Sequence, residues 1–134
     1  MFIKKVDDYF REGGINAEKR RIGDILYRET DDAIYIIDFV LRKLTSEDAS
    51  PYQKKEAEAK SMIVLNALKD FLRKKEDFLG TEKTYKAWLS VSSIRVFLLQ
   101  KKIRKIEDKI VGFPLLQKEV ASLKRYISFV TNRG

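Results

Sequence analysis

Apolar residues recur every three or four positions along most of the chain, a spacing that predicts amphipathic α-helices from end to end. The first apolar set, at 2–10, precedes the glycine pair at 13–14 and predicts a short helix that stops there. Asn16 is a plausible N-cap for a second helix, and Thr30, with two acidic residues after it, resembles a third helix start. The second and third segments could equally form one helix that bends near Gly23.

The segment 33–44 is rich in isoleucine, tyrosine, phenylalanine and valine, so local propensity alone permits a β-strand. We predict a helix, because nothing else in the sequence offers a strand to pair with and an isolated strand is not stable. The next helix has a clear start, with Ser50 as N-cap, proline at the first helical position and Gln53 closing a capping box. It is predicted to end at Gly80.

The segment 82–111 predicts the longest helix, about 45 Å at 1.5 Å per residue. Its apolar seam alternates spacings of four and three and is interrupted only at Ser92. The seam is formed by Tyr85, Leu89, Ser92, Val96, Leu99, Ile103, Ile106 and Ile110. Val91, Ile94, Phe97 and Leu98 point away from the seam, so we expect several neighbouring helices to cover this part as core, although an oligomer interface would use the same pattern. Apolar positions at 116–130 predict a last helix that folds back.

These elements predict an all-α fold: one domain over 1–134, an antiparallel helical bundle of five to six helices around a long central helix at about 82–111. A chain of 134 residues is long enough for one hydrophobic core without disulfides or a structural metal.

The composition excludes several kinds of chemistry. The chain has no cysteine and no histidine, which removes thiol nucleophiles, imidazole acid–base catalysis, zinc sites built on these residues and disulfides. Acidic residues near the start and an apolar run of only nine residues at 33–41 indicate neither a signal peptide nor a membrane span. We therefore expect a cytoplasmic protein, or one packaged in a virion. The 36% of charged residues, with no cysteine and little glutamine, is typical of a thermophile protein.

All of the net charge lies in the last 54 residues. Residues 1–80 carry 16 Lys and Arg against 16 Asp and Glu, whereas residues 81–134 carry 12 against 4, which accounts for the formal charge of +8. Such asymmetry is typical of a protein that faces a polyanion. We therefore interpret 1–80 as charge-neutral scaffold helices and 81–134 as a basic C-terminal helical hairpin.

The candidate nucleic-acid-binding residues lie on this hairpin. At about 100° per residue, five cations of the long helix fall on the side opposite its apolar seam, and three more lie on the last helix. They are Lys101, Lys102, Arg104, Lys105 and Lys109, followed by Lys118, Lys124 and Arg125. Lysines and arginines along one surface suit phosphate backbones without requiring a base sequence. An ordinary solvated helix face and a surface for an acidic protein partner remain alternatives.

Aromatic residues in the same half could stack on the bases of a single strand if they were exposed. Phe129 is best placed, because it falls on the same side as Lys118 and Arg125, whereas Trp88 adjoins the apolar seam and is expected to be structural. A helix of thirty residues is too long for the short recognition helix of a helix-turn-helix, so we expect little sequence specificity.

No enzyme or cofactor site is expected. The acidic pairs at 7–8, 31–32 and 107–108 could hold a divalent cation, but adjacent residues diverge by about 100° on a helix. We interpret them as helix-start and surface residues, and we predict no catalytic residue, no metal ligand and no cofactor. No glycine-rich phosphate loop or nucleophile elbow is present.

Two stretches resemble the helical domain of GINS subunits of the archaeal and eukaryotic replicative helicase. One is DDAIYIIDFVLRKL followed by PYQKKEAEAKSMIVLNALKDFLRKKEDF, and the other is SSIRVFLLQKKIRKIEDKI. In size, charge and helicity the chain is also similar to small helical subunits of CRISPR effector complexes and to helical virion proteins of archaeal viruses. These resemblances imply a helical subunit of a larger assembly, and no functional residue is transferred from them.

The sequence thus predicts a non-enzymatic accessory or structural subunit that contacts nucleic-acid backbone, DNA or RNA, through its basic hairpin. The alternative is a helical interaction or scaffold subunit of a replisome, CRISPR effector or virion that does not contact nucleic acid. Protein partners or self-association are compatible with both hypotheses, and a membrane partner is not expected.

Overall fold

The computed structural model describes residues 2–44 and 46–132, with side chains from residue 18 onward, and over these residues the prediction of an all-α fold is confirmed. Five α-helices make up this part of the chain, which contains no strand. They are α1 (Phe2–Leu41), α2 (Pro51–Leu79), α3 (Thr81–Leu89), α4 (Ser93–Lys109) and α5 (Pro114–Val130). A single 3-10 turn, Arg42–Leu44, follows α1.

Helix α1 is one continuous helix, so the predicted stop at 13–14 and the predicted start at Thr30 are both wrong. The Thr30 side chain is buried, and its hydroxyl donates to the Leu26 carbonyl oxygen at 2.8 Å instead of capping a new helix. Leu26, Ile34 and Leu41 are buried along one face of α1, and this packing supports a continuous helix through Thr30. The side chains at 2–10 lie outside the part described.

The predicted boundaries of α2 are confirmed. The Ser50 hydroxyl accepts a bond from the Gln53 backbone N–H at 3.2 Å, and the Gln53 side chain accepts one from the Ser50 N–H at 2.9 Å. At the other end Gly80 adopts φ +88°, which favours glycine, and its N–H bonds to the Glu76 carbonyl oxygen at 2.8 Å. Local sequence signals were sufficient here because both ends are closed by residues close in sequence.

The predicted long helix at 82–111 is wrong, because α3 and α4 are separated at residues 90–92. The Ser90 hydroxyl lies 2.6 Å from the Ala87 carbonyl oxygen and 3.1 Å from the Lys19 carbonyl oxygen of α1. Ser92 then caps α4, accepting a bond from the Arg95 N–H at 3.3 Å. Serine hydroxyls that bond to backbone groups compete with continued helix, which accounts for the break.

The helices surround one cluster of buried apolar side chains to which all five contribute. Helix α1 contacts α2 and α4, α5 contacts the same two helices, and α3 packs against α1, α2 and α5. The short connections α1–α2 and α4–α5 join antiparallel neighbours, whereas α1 and α4 run parallel. Three cross-helix contacts between α1 and α4 each join residues 71 apart, and a constant offset occurs only between parallel helices. The antiparallel hairpin is therefore α4–α5, not the whole of 81–134.

Candidate nucleic-acid interface

Three of the five predicted cations of α4 lie on its outer side. Lys101, Arg104 and Lys105 are exposed and form no ion pair with any carboxylate of the described part of the chain. The opposite side of the same helix is buried in the core through Leu99, Ile103 and Ile106. The three charges are thus held on a helix whose position is set by packing.

Lys102 and Lys109 instead face α1, so the structure divides the set that the sequence placed on one surface. The Lys102 ammonium contacts the Asp31 carboxylate at 2.6 Å, and Lys109 is paired with Asp38. One heptad earlier, Arg95 pairs with Asp24 at 2.7 Å. We call these three pairs the α1–α4 ladder. Because each of these two lysines has a carboxylate beside it, neither adds a full positive charge to the surface.

The ladder affects the ionisation of its members. Hydrogen bonds from Arg95 and Arg28 hold the pKa of Asp24 below its ordinary value. Burial raises the pKa of Asp38, but the bond to Lys109 and the charges of Lys109 and Arg42 outweigh it and leave the pKa lowered. The bond to Asp31 raises the pKa of Lys102. These directions show that the pairing favours the charged forms of Asp24, Asp38 and Lys102.

On α5 the predicted cations are divided in the same way. Lys118 and Arg125 are exposed without a carboxylate partner in the part described, whereas Lys124 contacts Glu107 of α4 at 3.1 Å. The latter pair lies across the α4–α5 contact. We call the remaining five cations the outer basic face: Lys101, Arg104, Lys105, Lys118 and Arg125.

Few carboxylates offset the outer basic face. Helices α4 and α5 contain three: Glu107 is paired with Lys124, Glu119 with Lys69 of α2, and Asp108 is exposed without an ion pair among the described residues. Five unpaired cations therefore face one unpaired carboxylate on the outside of two adjacent helices.

Apolar side chains next to these cations are also exposed, which corrects the prediction that they form the core. Ile94 is 73% exposed, Phe97 is 60% exposed, and Leu98 is exposed beside them, whereas Val91 is buried. They were expected at the bundle centre because this part of the chain is apolar on nearly every side. In the structure, neighbouring helices cover only one side of α4.

The prediction that Trp88 is structural agrees with the structure, whereas base stacking by Phe129 stays a prediction. Phe129 is 69% exposed, and Trp88 is fully buried. The Trp88 indole N–H donates to the Tyr126 hydroxyl at 3.2 Å, with the two rings edge to face. Burial raises the pKa of Tyr126.

The sequence reasoning missed a second group of cations. Arg20 and Arg21 of α1, together with Arg95, line a cavity of about 490 Å³ at the start of α4, where Asp24 and Ser92 also contribute. Arg95 additionally lies over the Tyr27 ring, 5.0 Å from its centroid. A net charge of zero for 1–80 concealed this cluster, because a total does not show where opposite charges lie. The seven-residue spacing shared by the aspartates and the cations of the ladder was a usable signal.

The described residues contain no group of three or more carboxylates that could hold a metal ion. None of their helices is long and apolar enough to cross a membrane.

Comparisons with known proteins found no match that bears on this candidate interface. No family model matches the chain, and neither the curated proteins nor the solved structures contain a match. The likeness to GINS subunits therefore rests on the two quoted stretches alone, and function has to be argued from the geometry.

Proposed function

We propose that this protein binds the phosphate backbone of nucleic acid through the outer basic face, as a non-enzymatic accessory or structural subunit. The observation that carries the proposal is five exposed, unpaired cations against one unpaired carboxylate on adjacent helices. Each phosphate contacted by lysine or arginine releases condensed counterions, so several such contacts along a surface produce affinity that does not depend on base sequence.

The position of the cations on packed helices supports this function over general solubility. Helices α4 and α5 each bury one side, through residues such as Ile103 on α4 and Ile127 on α5. Their outer side chains are therefore presented at fixed spacing, and binding costs less ordering entropy than it would for a mobile basic tail.

The test is a titration of labelled DNA and RNA, single-stranded and duplex, at two salt concentrations. We expect affinity to fall steeply with added salt. The double variant Lys101→Gln/Lys105→Gln should weaken binding and reduce the slope of log K against log salt by about two. Lys54→Gln/Lys55→Gln removes the same charge from exposed positions in the first turn of α2 and should leave affinity nearly unchanged. Absence of binding at low salt, or equal loss in both pairs, would reject the proposal.

The predicted thirty-residue helix is divided into α3 and α4, so its length is no longer an argument against sequence-specific binding. Dependence on base sequence is therefore measured separately. Two unrelated strand sequences of equal length are expected to bind within about threefold of each other, because phosphate contacts carry no base information. A tenfold preference would show that base edges are also read.

A second candidate function is a protein-interaction or scaffold role. The observation in its favour is the exposed apolar group Ile94, Phe97 and Leu98, which three-four spacing places together on the surface of α4. Light scattering of the wild type and of Ile94→Ser/Leu98→Ser tests it. Self-association of the wild type that the double variant loses would support this role.

A further inference from the structure

The end of the α4–α5 hairpin that carries Phe97 combines features of a nucleobase site. Phe97 lies in the second turn of α4, and Lys101 and Arg104 follow it at spacings of four and seven, on the same side of the helix. The exposed Phe97 ring is thus followed by two cations along the surface of α4. Rings beside a cationic track are the arrangement by which single strands are bound without sequence preference.

A cavity of about 360 Å³ opens beside this ring. It lies between α4 and the end of α5, and Phe97, Gln100, Ser93 and Ser128 are among its lining residues. The side chains of Gln100 and Ser128 make no hydrogen bond to another side chain or backbone group of the described residues. They are therefore available to the polar edge of a base whose face lies on the ring.

Phe129 does not share this setting, although sequence position made it the better candidate. It lines a different cavity, of about 410 Å³, together with Glu76 and with Glu82, whose carboxylate is paired with Lys86 at 2.9 Å. Glu76 has no ion pair among the described residues, and its negative charge beside the ring disfavours a phosphodiester there. The two phenylalanines are similarly exposed, at 60% and 69%, so their surroundings distinguish them and exposure does not.

We propose that the nucleic acid bound by this protein is single-stranded, with one base stacked on Phe97 beside the α4–α5 cavity and the adjoining phosphates on Lys101, Arg104 and Lys105. The proposal rests on the proposed function and adds the class of ligand. A duplex would have to unpair before a base could reach the ring, whereas a single strand presents its bases at a smaller cost.

The experiment compares a labelled single strand with its duplex of equal length, using the wild type, Phe97→Leu and the matched control Phe129→Leu. The wild type should prefer the single strand. Phe97→Leu should weaken single-strand binding about fivefold or more, because fivefold is the lower end of the range expected for the loss of one stacked base. It should change duplex binding by less than about twofold. Phe129→Leu should leave both affinities unchanged. Both side chains are exposed, and circular dichroism checks that each variant keeps the wild-type helix content.

A fluorescence measurement distinguishes stacking from a general loss of apolar surface. In Phe97→Trp the new indole should be quenched by the single strand and not by the duplex, while Phe129→Trp stays unquenched. The buried Trp88 contributes a constant background.

The outcomes separate the two proposals. If the wild type binds no nucleic acid, both fail. If it binds but prefers the duplex, or if Phe97→Leu and Phe129→Leu have equal effects, the backbone function stands and this inference is overturned. A wild-type dimer that Phe97→Asp dissociates, with no single-strand preference, would assign the ring to a second copy of the chain and also overturn it.

Discussion

At the scale of single residues, the buried hydroxyl groups differ in whether they have a hydrogen-bond partner. Thr84 is buried, and its hydroxyl is the one buried side-chain polar atom of the described residues without a hydrogen-bond partner. The buried hydroxyls of Thr30 and Ser61, by contrast, each donate to the carbonyl oxygen four residues earlier at 2.8 Å. A buried polar group without a partner loses its bonds to water and gains nothing in return.

Replacing the Thr84 hydroxyl by a methyl group is therefore expected to stabilise the protein. Thr84→Val should raise the free energy of unfolding by about 1 kcal/mol, measured by urea denaturation. Thr30→Val is the matched control, because it removes a bonded hydroxyl and should lower the free energy by a similar amount. A decrease in both variants would show that the Thr84 hydroxyl has a partner.

At the scale of elements, the break at 90–92 divides one predicted helix into α3 and α4. The cap at Ser92 is local and visible in the sequence, but a serine within a long apolar seam does not by itself end a helix. The contact of Ser90 with the Lys19 carbonyl oxygen of α1 adds a bond that depends on tertiary packing. Whether residues 90–92 form helix or turn thus depends on the groups of α1 that contact them.

Ser92→Ala tests the break, because the two alternatives predict opposite signs. With Ser92 as the N-cap of α4, loss of its hydroxyl should lower the free energy of unfolding by about 1 kcal/mol. In a continuous helix the same change would raise it by a few tenths, since alanine is the better helix former. Ser93→Ala, at the next exposed position, is the control and should have little effect. Thermal or urea unfolding measures both.

The close contact between α1 and α3 depends on Gly23, which has no side chain. A Cβ at Gly23 would lie 2.4 Å from the Ala87 carbonyl oxygen and 2.5 Å from the Ser90 hydroxyl oxygen. Gly23→Ala should therefore lower the free energy of unfolding by about 1–3 kcal/mol, although alanine favours helix by about 1 kcal/mol. Adding Ser90→Ala removes one of the two clashes and should restore part of the loss. Stability equal to the wild type would show that α3 packs less closely than described.

At the scale of the whole molecule, the α1–α4 ladder decides which charges remain available at the surface. It joins aspartates from the neutral part of the chain to cations from the basic part, always 71 residues apart. The unpaired cations of α4 and α5 are thereby left on the far side of α4 and on α5. A net charge summed over a segment cannot show this, since it ignores which opposite charges are neighbours.

The ladder also predicts how stability depends on pH. The pKa values of Asp24 and Asp38 are lowered in the fold, so their pairs stabilise it above the unfolded value of about 3.9. That stabilisation is lost as pH falls through the lowered folded values. The pKa of Lys102 is raised, so its contribution is complete below about 10.4 and is lost as pH rises through the raised value.

Urea denaturation measured from neutral pH to about pH 2 should show this loss of stability in acid. In Asp24→Asn/Asp38→Asn the free energy of unfolding should be lower at neutral pH and fall less steeply in acid. Asp77→Asn, at an exposed position of α2 without an ion pair among the described residues, should keep the wild-type slope. An unchanged slope in the double variant would show that the ladder does not couple protonation to folding.

Much of the fold was accessible from sequence, and less of the candidate site. Three-four apolar spacing was enough for helices, and the capping box at Ser50 and the glycine at 80 were enough for the ends of α2. For the site, the pattern placed the candidate cations on what are α4 and α5, and Phe129 is exposed as stacking would require. It did not separate Lys101 from Lys102, because both lie away from the apolar seam and differ only in whether α1 stands beside them.

Helical periodicity and the ends of α2 were decided by the chain's local sequence, because each depends on residues within a turn or two of one another. The concentration of positive charge after residue 80 was decided by composition alone. Tertiary structure decided that α1 continues through Thr30, that α3 and α4 separate, and that Phe97 is exposed. It also left five of the eight predicted cations on the outer basic face. Contacts between residues 71 positions apart, such as Ser90 with Lys19 and Lys102 with Asp31, accompany these outcomes, and a pattern local to one helix does not specify them.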